Sequence, residues 1–440
     1  MILKATLSGI VPAVLFWGFF LTPFTSLRFG FIGPGEILIV IAGLLILFIS
    51  HGKILMDDRT RILSRFWVLF LSVSLCGLFY NSLVLGFASG RPFSPVFDFL
   101  AYSFVLFSIL ITGHLARTDQ ISAISFFTRL FSYWAVTYVA LYGLSFVTSS
   151  IFGMPLRYHH FFSPLVENVH QAASITCVMG FIMVFIALKS KKLFIRILCL
   201  ASAILFGKMA LDSGATKAFL GVLFGAITSV VFLLMYRPSG RNRFVFNILS
   251  FTALTVAVFA IVIARGDLIV EVATRFFMEN DGGGARDALY SVGLTHGTRS
   301  VLIGYGPGSH APYGGGFADA HNTTLTVFLQ GGLIGVLVLL VFAARFAKQV
   351  AVSPTLIGAA TAIGMYFLGG DILRRLPTWI MLTGLVYFAS GIHLVRRQRS
   401  QEEGHGFCDG PLISHDEQSS RNIRTFSFPL PNFPRLRRSR

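Results

Sequence analysis

The chain has 440 residues, of which 54% are hydrophobic and only 12% charged, with a formal net charge of +17. So little charge excludes a soluble globular protein of this size and points to a polytopic membrane protein. The basic excess does not indicate a nucleic-acid binder, because no aromatic–basic reading motif accompanies it; in an apolar chain it belongs to loops facing anionic headgroups.

An apolar helix of about 20 residues crosses the roughly 30 Å hydrocarbon core of a bilayer. In chain order, runs of that kind fall at 7–27, 31–50, 66–88, 96–114, 130–151, 169–188, 194–211, 217–236, 245–264, 322–343, 354–370 and 378–395. The expected fold is therefore all-α, a polytopic membrane domain over 1–395 with about twelve spans. The first run follows Met1-Ile2-Leu3-Lys4 without a small-residue cleavage site, so it reads as an uncleaved first helix rather than a signal peptide. From Arg396 the chain mixes Ser, Arg, Glu and Pro without apolar periodicity, and 396–440 reads as a disordered, basic cytoplasmic tail.

Alternate loops differ in Lys and Arg. One set holds Lys53, Arg59, Arg61 and Arg65, then Arg117 and Arg129, then Lys189, Lys191, Lys192 and Arg196, then Arg237, Arg241 and Arg243, then Arg345 and Lys348. The other is sparser: Arg28, Arg91, Arg157, Lys217, and Arg374 with Arg375. The positive-inside rule makes the first set cytoplasmic, with both termini, and puts the polar stretch 265–321 outside as one long periplasmic loop. Cys76, Cys177, Cys199 and Cys408 show no CxxC spacing, so neither a zinc site nor a disulfide framework is expected.

The stretch 265–321 carries Arg286, Arg299, His296, His310 and His321, and ends Asp319-Ala320-His321-Asn322 against the next apolar run. Ionisable groups at a membrane edge are costly and are functional candidates for that reason. Shorter outer loops add Arg157 with His159 and His160, then Asp212-Ser213-Gly214-Ala215-Thr216-Lys217, then Asp371 with Arg374 and Arg375. Such a basic set suits a phosphate, which guanidinium forks bind bidentately; the same residues, singly, also serve as headgroup anchors. His321 at the start of a helix is a candidate base near neutral pH, against the plainer role of an interface histidine. Adjacent His159 and His160 rarely face one metal ion, and no HxxxH or carboxylate partner repeats, so no metal is expected. Gly304-Tyr305-Gly306-Pro307-Gly308 lacks the strand-to-helix setting of a nucleotide loop.

Arg286 with the segment that follows it, the turn Leu302-Ile303-Gly304-Tyr305-Gly306-Pro307-Gly308, the sequence Ala320-His321-Asn322-Thr323-Thr324-Leu325 and the glycines Gly331, Gly332 and Gly335 together resemble the O-antigen ligase and polysaccharide polymerase superfamily over roughly 150–340. The resemblance implies a bacterial inner-membrane glycosyltransferase of the C-type architecture. Its donor would be a glycan on undecaprenyl diphosphate, and its acceptor lipid A-core or a second lipid-linked repeat unit. No nucleotide sugar or cofactor would be needed. The family's histidine falls on His321 and its loop arginine on Arg286. Many relatives carry Ser-Arg where this chain has Thr216-Lys217, so Lys217 supplies charge there without the planar fork, and Arg157 and Arg299 complete the expected diphosphate set. Electrostatic stabilisation of the leaving diphosphate and proton removal by His321 would give a single inverting displacement. The competing reading is a transporter or flippase of lipid-linked oligosaccharide, which would place ionisable groups near mid-membrane on broken helices.

Overall fold

The computed structural model describes residues 2–85, 94–235 and 283–405, apart from Phe29, Phe31, Asp119, His159, His160, Glu167, Asn168 and Gly315. The described part is mostly helical: α1 (Ile2–Leu21), α2 (Pro34–Ile49), α3 (Arg61–Tyr80), α4 (Ser94–Arg117), α5 (Ala123–Leu144), α6 (Val169–Lys189), α7 (Leu193–Asp212), α8 (Thr216–Met235), α9 (Gly283–Gly297), α10 (Thr323–Val350), α11 (Pro354–Gly369) and α12 (Leu376–His405). Among the described residues, seven of these carry stretches long and apolar enough to cross a membrane (α3, α4, α6, α7, α8, α10 and α12), while Gly9–Leu21, α2 and α11 are shorter apolar helices. A helix is what such runs must form, since in hydrocarbon every backbone N–H and C=O has to find its partner within the segment. The expected run 245–264 lies outside the described residues.

Several boundaries depart from the apolar runs: α1 ends at Leu21 rather than 27, α3 covers Arg61–Tyr80 rather than 66–88, α5 ends at Leu144 rather than 151, and α10 runs on to Val350 rather than 343. Helix α5 starts at Ala123, well before 130, because Phe126, Phe127 and Leu130 are buried even though Ser125, Thr128 and Arg129 lower the local hydropathy. Helix α12 runs on to His405 through the region read as the start of a disordered tail; residues 396–403 include Gln398, Gln401, Glu402 and Glu403 and no Gly or Pro, a composition that sustains a helix. The all-α expectation also gains three small antiparallel hairpins: β1 (Ser150–Ile151) with β2 (Met154–Pro155), β3 (Arg157–Tyr158) with β4 (Phe161–Phe162), and β5 (Ala311–Tyr313) with β6 (Gly316–Ala318).

Contacts sort the helix termini into two ends. At one end, Leu55 N donates to His114 Nδ1 (3.1 Å), Tyr387 Oη to Asp57 Oδ2 (2.9 Å) and Gln349 Nε2 to Arg59 O (3.3 Å). At the other, Asn81 Nδ2 donates to Tyr305 O (3.4 Å), Ser26 N to Leu165 O (3.0 Å) and Thr323 N to Gly370 O (3.0 Å). Between them α3, α4, α10 and α12 meet on an aromatic core. Trp67 and Trp379 have ring centroids 4.6 Å apart, Phe66 stacks on Trp379 at 5.5 Å, and Tyr102 closes on Trp67 at 5.3 Å. Each contact of this kind adds about 0.5–1.5 kcal/mol beyond area burial. This core is the floor beneath the polar cluster described next.

Helix α10 is broken at Gly332 (φ 60°, ψ −158°), whereas the sequence reads as one continuous run over 322–343. The break is satisfied by the polar loop. Tyr305 N and Gly306 N donate to Leu329 O (2.8 Å) and Gln330 O (3.0 Å), while Leu333 N and Ile334 N donate to Val301 O (2.7 Å) and Leu302 O (3.1 Å). Backbone groups freed inside the bundle thus find partners in residues 301–306, and irregular backbone is tolerated at membrane depth where other parts of the protein satisfy it. The glycines let that loop in. A Cβ on Gly306 (φ 93°) would stand 2.5 Å from Leu78 Cβ, and one on Gly332 2.3 Å from Leu302 C.

Candidate functional site

The loop inserted between α3, α4 and α10 carries His310 to the N-terminus of α4. His310 is 6% exposed, its Nδ1 lies 2.9 Å from Asp319 Oδ1, and its Nε2 lies 2.8 Å from Ser94 Oγ. Asp319 Oδ2 takes Arg374 Nη2 at 3.0 Å, and Arg374 Nη1 reaches Asp98 Oδ1 at 3.2 Å. Asp98, only 1% exposed on the second turn of α4, also accepts from Gly308 N (3.1 Å) and Gln330 Nε2 (3.1 Å) through Oδ2. Three regions far apart in sequence, 94–98, 308–330 and 371–374, therefore share one hydrogen-bonded network. Asp371 Oδ2 stands 3.5 Å from Arg374 Nη2 on its other side.

Two groups of this network lie outside the spans and carry displaced charge equilibria. Burial raises the Asp319 carboxyl, but the His310 hydrogen bond and the Arg374 charge outweigh it and hold it well below the usual carboxylate range. Burial works against the Arg374 guanidinium, and Asp371, Asp98 and Asp319 more than offset that, so it stays charged throughout. Beside it, Arg375 is weakened by burial, and its Nη1 has no hydrogen-bond partner among the described residues.

His321 follows Asp319 at the junction with α10. It is exposed and held at φ 48°, a left-handed conformation that costs a non-glycine residue about 1–2 kcal/mol. The junction is stapled. Asn322 Oδ1 caps α10 by accepting from Leu325 N (3.1 Å), Asn322 Nδ2 donates to Leu368 O (2.7 Å), and Thr323 Oγ1 donates to Gly370 O (2.6 Å). His321 is thereby fixed next to residues 370–375, the loop that carries Arg374 and Arg375. From Thr324, an apolar cleft of about 310 Å³ runs between α10 and α11 along Leu339, Phe342, Ile357, Ile363 and Phe367.

Of the other expected residues, only Lys217 is joined to this centre by a contact among the described residues. Lys217 opens α8 with its aliphatic stem against Gly369, where an added Cβ would stand 2.7 Å from Lys217 Cδ, so it reaches the same 370–375 loop. Arg157, on β3, donates from Nε to Ser145 Oγ (3.2 Å), lies 4.8 Å over the Phe146 ring, and buries Nη2 without a partner among the described residues. Arg299 is exposed beside His296, Thr295, Pro312 and Phe317 at a cleft of about 500 Å³. Arg286 lies on α9, which packs against α10 and β5. The pair His159–His160 falls outside the described residues.

Sequence reasoning names His310, Asp319 and Arg374 only in passing and misses Ser94, Asp98 and Gln330. A signal existed for Asp98, a carboxylate inside the apolar run 96–114, which is costly unless paired. Ser94 and Gln330 carry no such mark. Asp319 binds His310 and Arg374, and Asp212 binds Tyr142 and Lys208.

Comparison with protein-family models finds no match for this chain, and comparison with curated proteins finds none either.

Proposed function

We propose that the chain is an inverting glycosyltransferase of the bacterial inner membrane. It would move a glycan from undecaprenyl diphosphate to an acceptor hydroxyl at the periplasmic face, within a bundle of about twelve spans, as an O-antigen ligase or a polysaccharide polymerase does. The observation that carries this reading is the setting of His321. It is exposed and directly precedes Asn322 and Thr323, which are bonded to residues 368–370 ahead of a loop bearing two arginines, and Thr324, which lines an apolar cleft suited to a polyprenyl chain. His321 would take the proton of the acceptor hydroxyl, and Arg286, Arg157, Lys217 and Arg299 would stabilise the departing diphosphate. In this reading the acceptor is lipid A-core for a ligase or a second lipid-linked repeat unit for a polymerase.

The test is transfer by purified protein from a lipid-linked donor. His321→Ala should lower turnover by a factor of about 10² to 10⁴ while donor binding persists. Arg286→Lys should also cripple transfer, since it keeps charge but loses the bidentate fork. Transfer by His321→Ala at more than roughly a tenth of the wild-type rate would remove the base from this position. Loss of glycan-capped lipid A-core with retained lipid-linked polymer in a deletion strain marks a ligase, and loss of polymer marks a polymerase.

The broken helix α10, with Gln330 beside the buried Asp98, favours a second reading, a flippase or carrier of the same lipid-linked glycan. Movement of a labelled lipid-linked glycan across proteoliposome membranes, with no new glycosidic bond, would select it.

A further inference from the structure

Ser94, His310 and Asp319 stand in the order nucleophile, base and orienting acid. Asp319 Oδ1 receives the Nδ1–H of His310, so the Nε2 lone pair faces Ser94 Oγ at 2.8 Å, the tautomer a general base requires. Arg374 holds the second oxygen of Asp319 at 3.0 Å and keeps the carboxylate from turning. The loop that carries His310 is set against the nucleophile's own backbone: a Cβ on Gly308 would come 2.4 Å from Ser94 C, and Ser309 Oγ donates to Gly306 O at 2.7 Å. Ser94 itself is half-buried, and Val96 and Leu100, one turn along α4, are 59% and 60% exposed, so apolar surface adjoins the serine.

We propose that Ser94, His310 and Asp319 form a serine acyl-transfer site for a carboxylic ester presented at this end of the bundle. Ser94 Oγ bonds to the ester carbonyl carbon while His310 Nε2 takes its proton. The bond from that carbon to the leaving alcohol breaks, and the alkoxide receives the proton from Nε2. Water or an acceptor hydroxyl then attacks the acyl-serine by the same route and restores Ser94. Asp319 keeps the imidazole in its tautomer and stabilises the imidazolium. The first-turn amide of Val96 on α4 is the proposed donor for the developing oxyanion. The ester is carried either by a lipid or by an O-acylated sugar, and the two share this chemistry.

The reaction needs neither His321 nor a lipid-linked donor, so its test stands apart from glycosyl transfer. The full-length protein in detergent is treated with a fluorophosphonate and Ser94 is mapped by peptide mass spectrometry. The expected result is a phosphonyl group on Ser94 in native protein and none in heat-denatured protein. His310→Gln should slow labelling by a factor of about 10² to 10⁴, with thermal unfolding followed in parallel so that loss of fold is seen as such. An unmodified Ser94 in native wild type, equal labelling after denaturation, or wild-type labelling in folded His310→Gln each overturns the proposal. p-Nitrophenyl acetate and p-nitrophenyl palmitate separate the sources. A nitrophenol burst favouring palmitate assigns a lipid ester and one favouring acetate an O-acyl sugar, whereas no burst from either overturns the acyl step.

Discussion

At the end of the bundle where α3 begins and α4 finishes, polar contacts are tethers. Tyr387 Oη holds Asp57, His114 receives Leu55 N, Arg117 Nη1 donates to Met56 O at 2.5 Å, and an exposed pair joins Arg61 to Asp58. Each fixes a short connection to a helix end. At the opposite end, Asp98, Ser94, His310, Asp319, Gln330 and Arg374 are drawn from three regions into one network around a fully buried carboxylate. Tethers act pair by pair, whereas the members of a shared buried network depend on one another. The contrast makes the second end the one with coupled, buried ionisable groups.

The largest expected effect tests that interdependence. Arg374→Met leaves Asp98 buried without its cation and should cost about 3–5 kcal/mol, read as a fall in thermal unfolding temperature in detergent. Adding Asp98→Asn should recover much of it; equal instability of the single and double variants would mean that the network is no more than a set of separate contacts.

At the tethering end, Tyr387→Phe removes the donor from buried Asp57 and should cost about 1–3 kcal/mol, with the proposed glycan transfer unchanged. A matching loss of transfer in folded protein would erase the distinction between the ends.

His321→Gly makes the two effects diverge in sign. Relief of the left-handed backbone, less the entropy of a new glycine, should give a net gain of at most about 1 kcal/mol, while transfer is lost. A destabilised variant would show that His321 serves the fold.

The smallest effect is a pH dependence at the rim. Burial lowers the His296 imidazole below its ordinary value, and the Arg299 charge adds to this. The unfolded chain then binds the proton more readily, so this stability is present above about pH 6.5 and is lost as pH falls through the lower folded value. His296→Phe, which keeps a ring stacked on Tyr305 (4.5 Å in the native pair), should flatten that slope in hydrogen exchange of the 300–306 segment; an unchanged slope would assign the dependence to another group.

Much of the architecture is legible in the chain because a membrane span is a local property. Apolar runs at 169–188, 194–211 and 217–236 become α6, α7 and α8 within a residue or so. Capping of α10 by Asn322, through its bond from Leu325 N, is likewise a local feature. The polar network was not legible, because hydropathy treats Ser94 and Gln330 as neutral residues within or beside apolar runs. Nothing in the sequence near Asp98 names Arg374 as its partner.

The sequence by itself therefore determined that the chain is a helical membrane protein and roughly where most of its described helices lie; burial of apolar side chains and local backbone satisfaction suffice for that. Only the tertiary structure decided that α10 breaks at Gly332, that residues 301–308 fill the gap, and that His310 thereby arrives between Ser94 and Asp319. The reason is physical. Those outcomes depend on which distant backbone groups pair with each other, and pairing between distant segments is set by the packing of the whole bundle.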